Sequence, residues 1–309
     1  MLLVHMVKLV KARLYRSART LADRQMRRQM YYDLLRKWGI RFVPIRLGNG
    51  NRMWIDLHDE VLGHYFFIHQ EYEPFESSLF EQVIEPGMTV VDVGANVGYY
   101  TLLGASRAGP SGTVIAFEPD LTNIKLLQRN MQINRFSNSI CEKAAVLGFE
   151  GMAMLYLSNN NFGDHRVFDA CDDDILNKGV ARKSVEVPAV SLDKYLKKSG
   201  FRADVVKIDI QGAEMLALPG MIETLSNPRV VLFCEFWPYG LRKADTSPKH
   251  FLESLKELGF ELFEIIETSR SVTPVNISEL SERFPDMGYA NLFCIHPSRS
   301  REFLTTYLR

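Results

Sequence analysis

The sequence predicts an α/β protein in which a mostly parallel sheet carries helices on both faces. From residue 75 onward, short apolar runs typical of buried strands alternate with longer stretches of helical periodicity. The first of these runs ends in a glycine-rich turn, "VVDVGANVGYYT" at residues 90–101, which leads directly into a helical stretch. With 309 residues, 46% of them hydrophobic, the chain is long enough to bury a large core.

The predicted elements follow one another in a regular order. Helices are predicted at residues 74–87, 99–109, 121–134 and 251–260. Strands are predicted at residues 88–93, 112–119, 203–210, 229–236 and 291–296. Parallel strands need long crossover connections, and the predicted helices supply them.

The N-terminal segment differs in charge from the rest of the chain. Residues 1–53 contain thirteen Lys or Arg residues against two Asp residues, a net charge of +11, whereas residues 54–309 carry −11. Apolar residues recur along one helical face, namely Leu3, Val7, Val10, Leu14, Ala18 and Leu21. We therefore expect a basic, largely helical extension at residues 1–60 and a main domain at residues 61–309.

Several features favour a cytoplasmic protein. The opening stretch is too short, and too interrupted by His5, Lys8 and Lys11, for a membrane span, and it lacks a secretory cleavage site. The four cysteines lack C-x-x-C spacing, which favours a reducing compartment. The basic amphipathic stretch leaves two interpretations open. Either residues 1–30 lie peripherally on the inner face of an anionic membrane, or the apolar stripe packs against protein.

Four of the predicted strands end in an acidic residue. These residues are Asp92, Glu118, Asp209 and Glu235. In a parallel α/β sheet the carboxyl ends of the strands meet at one edge, and ligands bind there at the point where the strand order reverses. Because burying an unpaired acid is costly, four acids in one crevice indicate a binding site.

The turn after the first strand indicates the kind of ligand. Gly94 and Gly98 lack side chains, so backbone N–H groups can approach a ligand closely. Glu118 lies 24 residues after Gly94, near the spacing at which an acid binds a ribose diol. Asn96 breaks the G-x-G-x-x-G dinucleotide pattern, and the P-loop motif for triphosphates is missing from the sequence. S-adenosylmethionine, whose sulfonium suits an acid-lined crevice, is the remaining common candidate.

Four segments together resemble the FkbM family of S-adenosylmethionine-dependent methyltransferases. They are "YEPFESSLFEQVIEPGMTVVDVGANVGYYTLL", "VIAFEPDLTNIKLLQRNMQIN", "VSLDKYL" and "VVKIDIQGAE". The resemblance extends over about residues 70–295. It implies the Rossmann-like, seven-stranded class I methyltransferase fold with one antiparallel strand, and O-methylation of a hydroxyl, often on a sugar, glycan or natural product. Gln211 stands where the family often has Glu, which leaves a catalytic role of this position in doubt.

The resemblance also implies a set of cofactor-binding residues. Asp92, Gly94, Ala95, Asn96 and Gly98 match the first motif of the family and are expected to surround the methionine part of the cofactor. Glu118 is expected to accept hydrogen bonds from both ribose hydroxyls. Asn130 matches an asparagine in the family's following helix. Ala144 and Ala145 are expected, from their position in the sequence, to lie at the edge of the adenine.

The methyl-transfer chemistry predicts a second set of residues. An alcohol must lose its proton to attack the methyl group, so a base or an orienting acid is expected near it. Asp209 is the first candidate, with Glu214 and the loop residue His165 as further catalytic candidates. Glu235, Trp237 and Tyr239 are expected to contact the acceptor. No metal site is predicted, because the loop around Asp172 and Asp174 lacks the glycine and third ligand of a calcium loop.

Two other classes of protein share some of these features. An RNA-directed methyltransferase would share the cofactor site and could use the basic N-terminus to bind phosphates. However, "DIQGAE" stands where enzymes that methylate base amines carry an Asn-Pro-Pro-aromatic motif, and residues 54–309 are acidic. A non-enzymatic binding protein has no need of an acid at every strand end. We therefore expect a small-molecule or glycan hydroxyl acceptor and no nucleic acid partner.

Overall fold

The computed structural model describes residues 20–169, 180–285 and 287–299. The chain divides into two compact units, with the boundary between Tyr72 and Glu73. The first unit therefore extends beyond residue 60, the boundary expected from the sequence. Most of the predicted N-terminal stripe, from Leu3 to Ala18, lies outside the described residues.

The first unit combines two helices with a β-hairpin. Helix α1 (Leu21–Lys37) begins with a capping box between Thr20 and Asp23. The hairpin strands β1 (Phe42–Arg46) and β2 (Arg52–Asp56) are followed by helix α2 (Leu62–His69). Tyr32 of α1 packs edge-on against Phe67 of α2, with ring centroids 5.5 Å apart. The extension is thus helical as expected, and it also contains a hairpin that the sequence analysis did not predict.

The second unit contains a central sheet, with most of its helices in the connections between strands. Its described strands are β3 (Thr89–Val93), β4 (Thr113–Phe117), β5 (Ser139–Glu142), β6 (Ala145–Val146), β7 (Gly151–Leu157), β8 (Lys183–Val190), β9 (Val205–Ile208), β10 (Val231–Phe236), β11 (Glu261–Ile266), β12 (Ser271–Pro274) and β13 (Ala290–Ile295). Its described α-helices are α3 (Pro74–Val83), α4 (Tyr99–Ala108), α5 (Leu121–Asn134), α6 (Leu192–Ser199), α7 (Glu214–Ala217), α8 (Ile222–Leu225), α9 (Pro238–Lys243), α10 (Pro248–Glu257) and α11 (Ile277–Arg283).

Within the described residues, the central sheet has eight strands in the order β12–β11–β13–β10–β9–β3–β4–β5. Strands β5, β4, β3, β9 and β10 are parallel, and β13 lies antiparallel between β10 and β11. The predicted mostly parallel sheet with one antiparallel strand near the C-terminus is confirmed. The eighth strand, β12, forms an edge hairpin with β11.

The strand order explains where a site must lie. The chain runs outward from β3 through β4 to β5, and then returns to the other side of β3 with β9 and β10. The carboxyl ends of β3 and β9 therefore border the crevice at which the strand order reverses. The apolar residues of these strands are almost completely buried, as expected for a sheet covered on both faces.

A separate three-stranded sheet is inserted between β5 and β9. Its strand order is β6–β8–β7, and it has a small apolar core that includes Leu155 and Val187. The loop that follows β7, residues 158–168, contains the predicted catalytic candidate His165. Among the described residues, no helix is both long enough and apolar enough to cross a membrane.

Candidate cofactor and acceptor site

The turn between β3 and α4 requires glycine at its first position. Gly94 has φ = 81°, and a Cβ atom there would lie 1.9 Å from the backbone oxygen of Asp209. The backbone N–H groups of Gly94 and Ala95 both donate to the Phe117 carbonyl, each at 3.0 Å. The close approach of β9 therefore admits no side chain at position 94.

The rest of the turn is fixed from behind by helices α4 and α5. Gly98 has φ = 92°, and a Cβ atom there would lie 3.1 Å from Cγ of Leu127. Asn130 of α5 is fully buried, and its Nδ2 donates to the Val97 carbonyl at 2.8 Å. Asn130 therefore holds the turn in shape from the side of α5.

Asp92 also lies beneath the turn. Its Oδ2 accepts a hydrogen bond of 2.5 Å from the Thr101 hydroxyl. Burial raises the pKa of Asp92 to about 6, although the Thr101 hydrogen bond and the charge of Lys207 oppose the rise. Asp92 is the register partner of Lys207 across β3 and β9, so it connects the turn to the buried charges of the neighbouring strand.

Glu118 follows β4 and faces the turn. Its Oε2 accepts a hydrogen bond from the Asn96 backbone N–H at 2.8 Å, and its Oε1 accepts one from the Asp120 N–H at 2.7 Å. Burial raises the pKa of this carboxyl to about 8, against the opposing effect of these backbone donors. Because each carboxylate oxygen can accept two hydrogen bonds, both retain capacity for a ligand.

These elements border a cavity that contains about 510 Å³ of space, including part of its open mouth. The described lining residues are Gly94, Asn96, Phe117, Glu118, Pro119, Asn123, Ala144, Ala145, Val146, Leu155, Phe162, Gly163, His165, Val167, Asp209, Ile210 and Gln211.

The predicted site residues divide into two groups. Seven of them line the cavity, namely Gly94, Asn96, Glu118, Ala144, Ala145, His165 and Asp209. Within the described part of the chain, the others lie outside this lining, namely Asp92, Ala95, Gly98, Asn130, Glu214, Glu235, Trp237 and Tyr239. Asn123 of helix α5 and Phe162 of the loop after β7 also line the cavity, and neither is among the residues predicted from the sequence.

One carbonyl group of the loop after β7 is hydrogen-bonded to two residues that line the cavity. The Phe162 oxygen accepts hydrogen bonds from Nδ2 of Asn96 at 3.1 Å and from Nδ2 of Asn123 at 2.9 Å. His165 lies in the same loop, and its Nδ1 accepts a hydrogen bond from the Ser158 N–H at 3.0 Å. Burial lowers the pKa of His165, so its ring is neutral near pH 7 and carries its proton on Nε2. His165 can therefore donate a hydrogen bond into the cavity.

A cluster of acidic side chains occupies the other side of Asp209. Nε2 of Gln211 donates to Oδ1 of Asp209 at 2.7 Å and to Oε2 of Glu235 at 3.2 Å. The pKa of Glu235 is raised well above its usual range by burial and by the charge of Asp209. An amide at position 211 supplies the donor that joins the two acids, which a carboxylate there would not do.

Glu73 completes this cluster, although the sequence analysis did not single it out. Its Oε1 accepts a hydrogen bond from Nδ2 of Asn291 at 2.6 Å, and its Oε2 accepts one from the Tyr100 hydroxyl at 2.8 Å. Asn291 is the register partner of Glu235, which places Glu73 beside that residue. Burial and the charge of Glu76 raise the pKa of Glu73 to about 8. We call Glu73, Asp209 and Glu235 the acidic cluster.

Lys207 supplies positive charge beneath the acidic cluster. It is fully buried, with Nζ 3.0 Å from Oε1 of Glu76 and 4.9 Å from the centre of the Tyr100 ring. Burial alone would lower the pKa of Lys207, but the charges of Glu76, Asp209 and Glu73 raise it. The ammonium group thus remains charged and offsets part of the negative charge.

The remaining candidates lie beside these groups. Oε1 of Glu214 accepts two hydrogen bonds of 3.3 Å, from the N–H groups of Ile210 and Gly212, and burial raises its pKa to about 7. Glu214 therefore fixes the loop that carries Gln211.

Trp237 is buried beneath the guanidinium of Arg166, whose Cζ lies 4.8 Å from the centre of the Trp237 ring. Among the described residues, no group of three His, Cys, Asp or Glu side chains is arranged to hold a metal ion.

The residues of the cavity fit an adenosyl ligand. Glu118 retains acceptor capacity for a diol, Gly94 leaves room beside the backbone, and the Asn123 side chain contributes a buried amide. The strand order, the glycine turn and the acid after β4 define a Rossmann-like methyltransferase of the class I fold. Residues 92–262, more than half of the chain, match the methyltransferase FkbM domain. The chain belongs to this family of S-adenosylmethionine-dependent methyltransferases, and S-adenosylmethionine is its cofactor.

Two curated proteins resemble parts of the chain. The AMB antimetabolite synthetase AmbE of Pseudomonas aeruginosa is 30% identical over 168 residues, which are 45% of this chain and 8% of that protein. Methyltransferase 1 of Beauveria bassiana is 27% identical over 145 residues, which are 43% of this chain and 57% of that protein. The matched segments thus span less than two thirds of either relative.

Solved structures with a similar fold have low sequence identity. The FkbM methyltransferase of Methylobacillus flagellatus is 15% identical with a TM-score of 0.40, and the match covers 74% of this chain and 52% of that chain. TYW2 of M. jannaschii in complex with AdoMet is 15% identical with a TM-score of 0.45, and the match covers 82% and 84% of the respective chains.

Proposed function

We propose that this methyltransferase acts on a hydroxyl group of a sugar, glycan or natural product. The observation that carries the proposal is the position of Asp209, which lines the cofactor cavity and is also joined through Gln211 to Glu235. An acceptor in the acidic cluster would therefore lie next to the cofactor. Carboxylates accept hydrogen bonds from hydroxyl groups, so the cluster suits a polyhydroxylated acceptor.

The reaction needs a group that accepts the proton of the hydroxyl. The bound cofactor supplies an electrophilic methyl group, and the protein aligns the attacking oxygen with it. Asp209 is the proposed base or orienting group, because its carboxylate lies on the boundary between the two parts of the site. Glu235 and Glu73 are proposed to orient other hydroxyls of the acceptor. In this proposal Glu214 acts through the loop that it fixes, and His165 donates a hydrogen bond.

The cofactor is proposed to lie along the cavity. Glu118 accepts hydrogen bonds from the ribose hydroxyls, and Ala144 and Ala145 border the adenine. Gly94 and Asn96 adjoin the methionine part. The remaining residues of the first motif, with Asn130, support the turn from behind, as their buried hydrogen bonds and packing indicate. Trp237 and Tyr239 are retained as proposed acceptor contacts, and Tyr239 is the less buried of the two.

We further propose a cytoplasmic location with residues 1–30 at the inner face of a membrane. Met26 and Met30 lie one helical turn apart on α1, and both side chains are more than half exposed. Arg27 lies between them in the sequence, so α1 presents apolar and cationic groups together. A lipid-linked glycan is an acceptor that such an attachment would serve.

Transfer of label from the cofactor tests the acceptor class. The purified protein is incubated with methyl-labelled S-adenosylmethionine and, in separate reactions, with glycan and lipid extracts or with total RNA. We expect label in the glycan or lipid fraction, lost in Asp209→Asn. Asp204→Asn is the matched control, because Asp204 lies at the opposite end of the same strand and accepts a hydrogen bond from the Thr89 N–H. Label that enters RNA instead would overturn the proposal.

A further inference from the structure

Asn123 presents an unused hydrogen-bond acceptor to the cofactor cavity. It lies in the first turn of α5, five residues after Glu118, and its side chain lines the cavity. Only 1% of the residue is exposed. Its Oδ1 receives no hydrogen bond from any described residue. A buried amide oxygen without a donor is destabilising, so this atom requires a partner from outside the described protein.

The orientation of the amide is determined by its other atom. Nδ2 of Asn123 donates to the Phe162 carbonyl at 2.9 Å. A flipped amide would bring two acceptor oxygens together, so the hydrogen bond to Phe162 fixes which atom is Oδ1. The backbone N–H of Asn123 is also engaged, because it donates to the N-cap residue Asp120 at 2.9 Å. The side chain is therefore held on two sides while its oxygen remains available.

We propose that Asn123 is a specificity-determining residue that accepts a hydrogen bond from the adenosyl group of the cofactor. The proposal rests on the assignment of the Glu118 end of the cavity to the adenosyl group. That group offers three donors, the 6-amino group of the base and the two ribose hydroxyls. A ligand that lacks the correct donor leaves Oδ1 buried without a partner, which is why the site would discriminate against it.

Calorimetric titration with modified ligands tests this role without measuring activity. The ligands are S-adenosylhomocysteine and its 6-deamino, 2′-deoxy and 3′-deoxy analogues, and the quantity compared is each analogue's Kd divided by that of S-adenosylhomocysteine. In the wild-type protein we expect at least one analogue to bind about ten-fold more weakly. In Asn123→Leu that ratio should fall towards one, because the acceptor is gone.

Two further variants separate recognition from loop attachment. Asn96→Gly removes the other donor to the Phe162 carbonyl and tolerates the positive φ of 50° at this position. It should weaken all four ligands together and leave the ratios unchanged. Asn123→Asp, in the protonated form that burial favours, keeps both an acceptor oxygen and a donor towards the Phe162 carbonyl. It should therefore preserve the discrimination, which also covers the case in which Asn123→Leu does not fold.

The outcomes distinguish this proposal from the proposed function. Ratios that stay unchanged for all three analogues in Asn123→Leu, or the loss of discrimination in Asn123→Asp, would overturn the role of Asn123. A wild-type protein that binds all three analogues as tightly as S-adenosylhomocysteine would also overturn it. The identity of the methyl acceptor does not enter these titrations, so a failure of the acceptor proposal leaves their result intact.

Discussion

Replacing Glu118 tests the cofactor site most directly. Glu118→Ala removes a buried carboxylate whose two oxygens each accept a backbone hydrogen bond and can each accept one more from a ligand. Hydrogen bonds to charged groups contribute about 1.5 to 3 kcal/mol each, and water that enters the vacated space recovers part of this. We therefore expect S-adenosylhomocysteine to bind about 2 to 4 kcal/mol more weakly, which corresponds to roughly 30- to 700-fold in Kd.

The raised pKa of Glu118 adds a second, independent signature. Its pKa is about 8 in the free protein because of burial, and the ionised form is the better acceptor for hydroxyl donors. Only the ionised fraction is ready to bind, so affinity should rise by roughly ten-fold per pH unit below pH 7, and more gradually up to about pH 8. Above that pH it should level off. Glu118→Ala should lose this dependence as well as affinity.

Isothermal titration calorimetry between pH 6 and 8.5 measures both effects. Glu142→Gln is the matched control, because Glu142 ends the adjacent strand β5 and its carboxylate accepts a hydrogen bond from the Tyr195 hydroxyl at 2.7 Å. Thermal melting of each variant without ligand separates loss of fold from loss of binding. Wild-type affinity and an unchanged pH profile in Glu118→Ala would show that this carboxylate does not contact the cofactor.

Three further predictions concern other parts of the chain. Asp209→Asn should lower turnover by about 10²- to 10⁴-fold, while the affinity for the cofactor stays within a few-fold. Turnover is measured with the acceptor that the label-transfer experiment identifies, and near-normal turnover would show that another group is the base. Glu73 has a pKa raised from 4.5 to about 8, so its contribution to stability is complete below 4.5 and is lost as the pH rises through 8. The melting temperature should therefore fall less between pH 6 and 9 in Glu73→Gln, and an equal slope would contradict this. Deleting residues 1–30, the segment proposed to contact the membrane, should abolish sedimentation with anionic vesicles, as should high salt. Continued sedimentation would exclude this segment as the membrane contact.

The central sheet was predictable because its strands are buried on both faces. Continuous apolar runs such as residues 88–93 indicate such strands without any long-range information. The glycine turn was also predictable. The backbone of Asp209 excludes every side chain from position 94, so the sequence carries a glycine there that can be recognised. The inserted sheet was missed, since most residues of β7 and β8 are at least partly exposed, unlike fully buried strands of the central sheet such as β9.

The site residues depend on contacts that are distant in sequence. Glu73 lies in the acidic cluster through a hydrogen bond to Asn291, 218 residues away, and no local pattern indicates that pairing. Family motifs also do not separate residues that face a ligand from residues that support them. Asn130 and Asn123 belong to the same helix, yet one holds the turn from behind and the other faces the cavity.

The hydrogen bonds of the Phe162 carbonyl affect more than the shape of the cavity. This one oxygen accepts both asparagine amides at once, so it connects the inserted loop to the turn after β3 and to helix α5. Residues of an appended segment therefore line the cavity together with residues of the nucleotide-binding scaffold. An inhibitor that extends from the Glu118 end of the cavity to this loop would contact a segment outside the central sheet, which is a practical route to selectivity among enzymes that share this sheet and its cofactor.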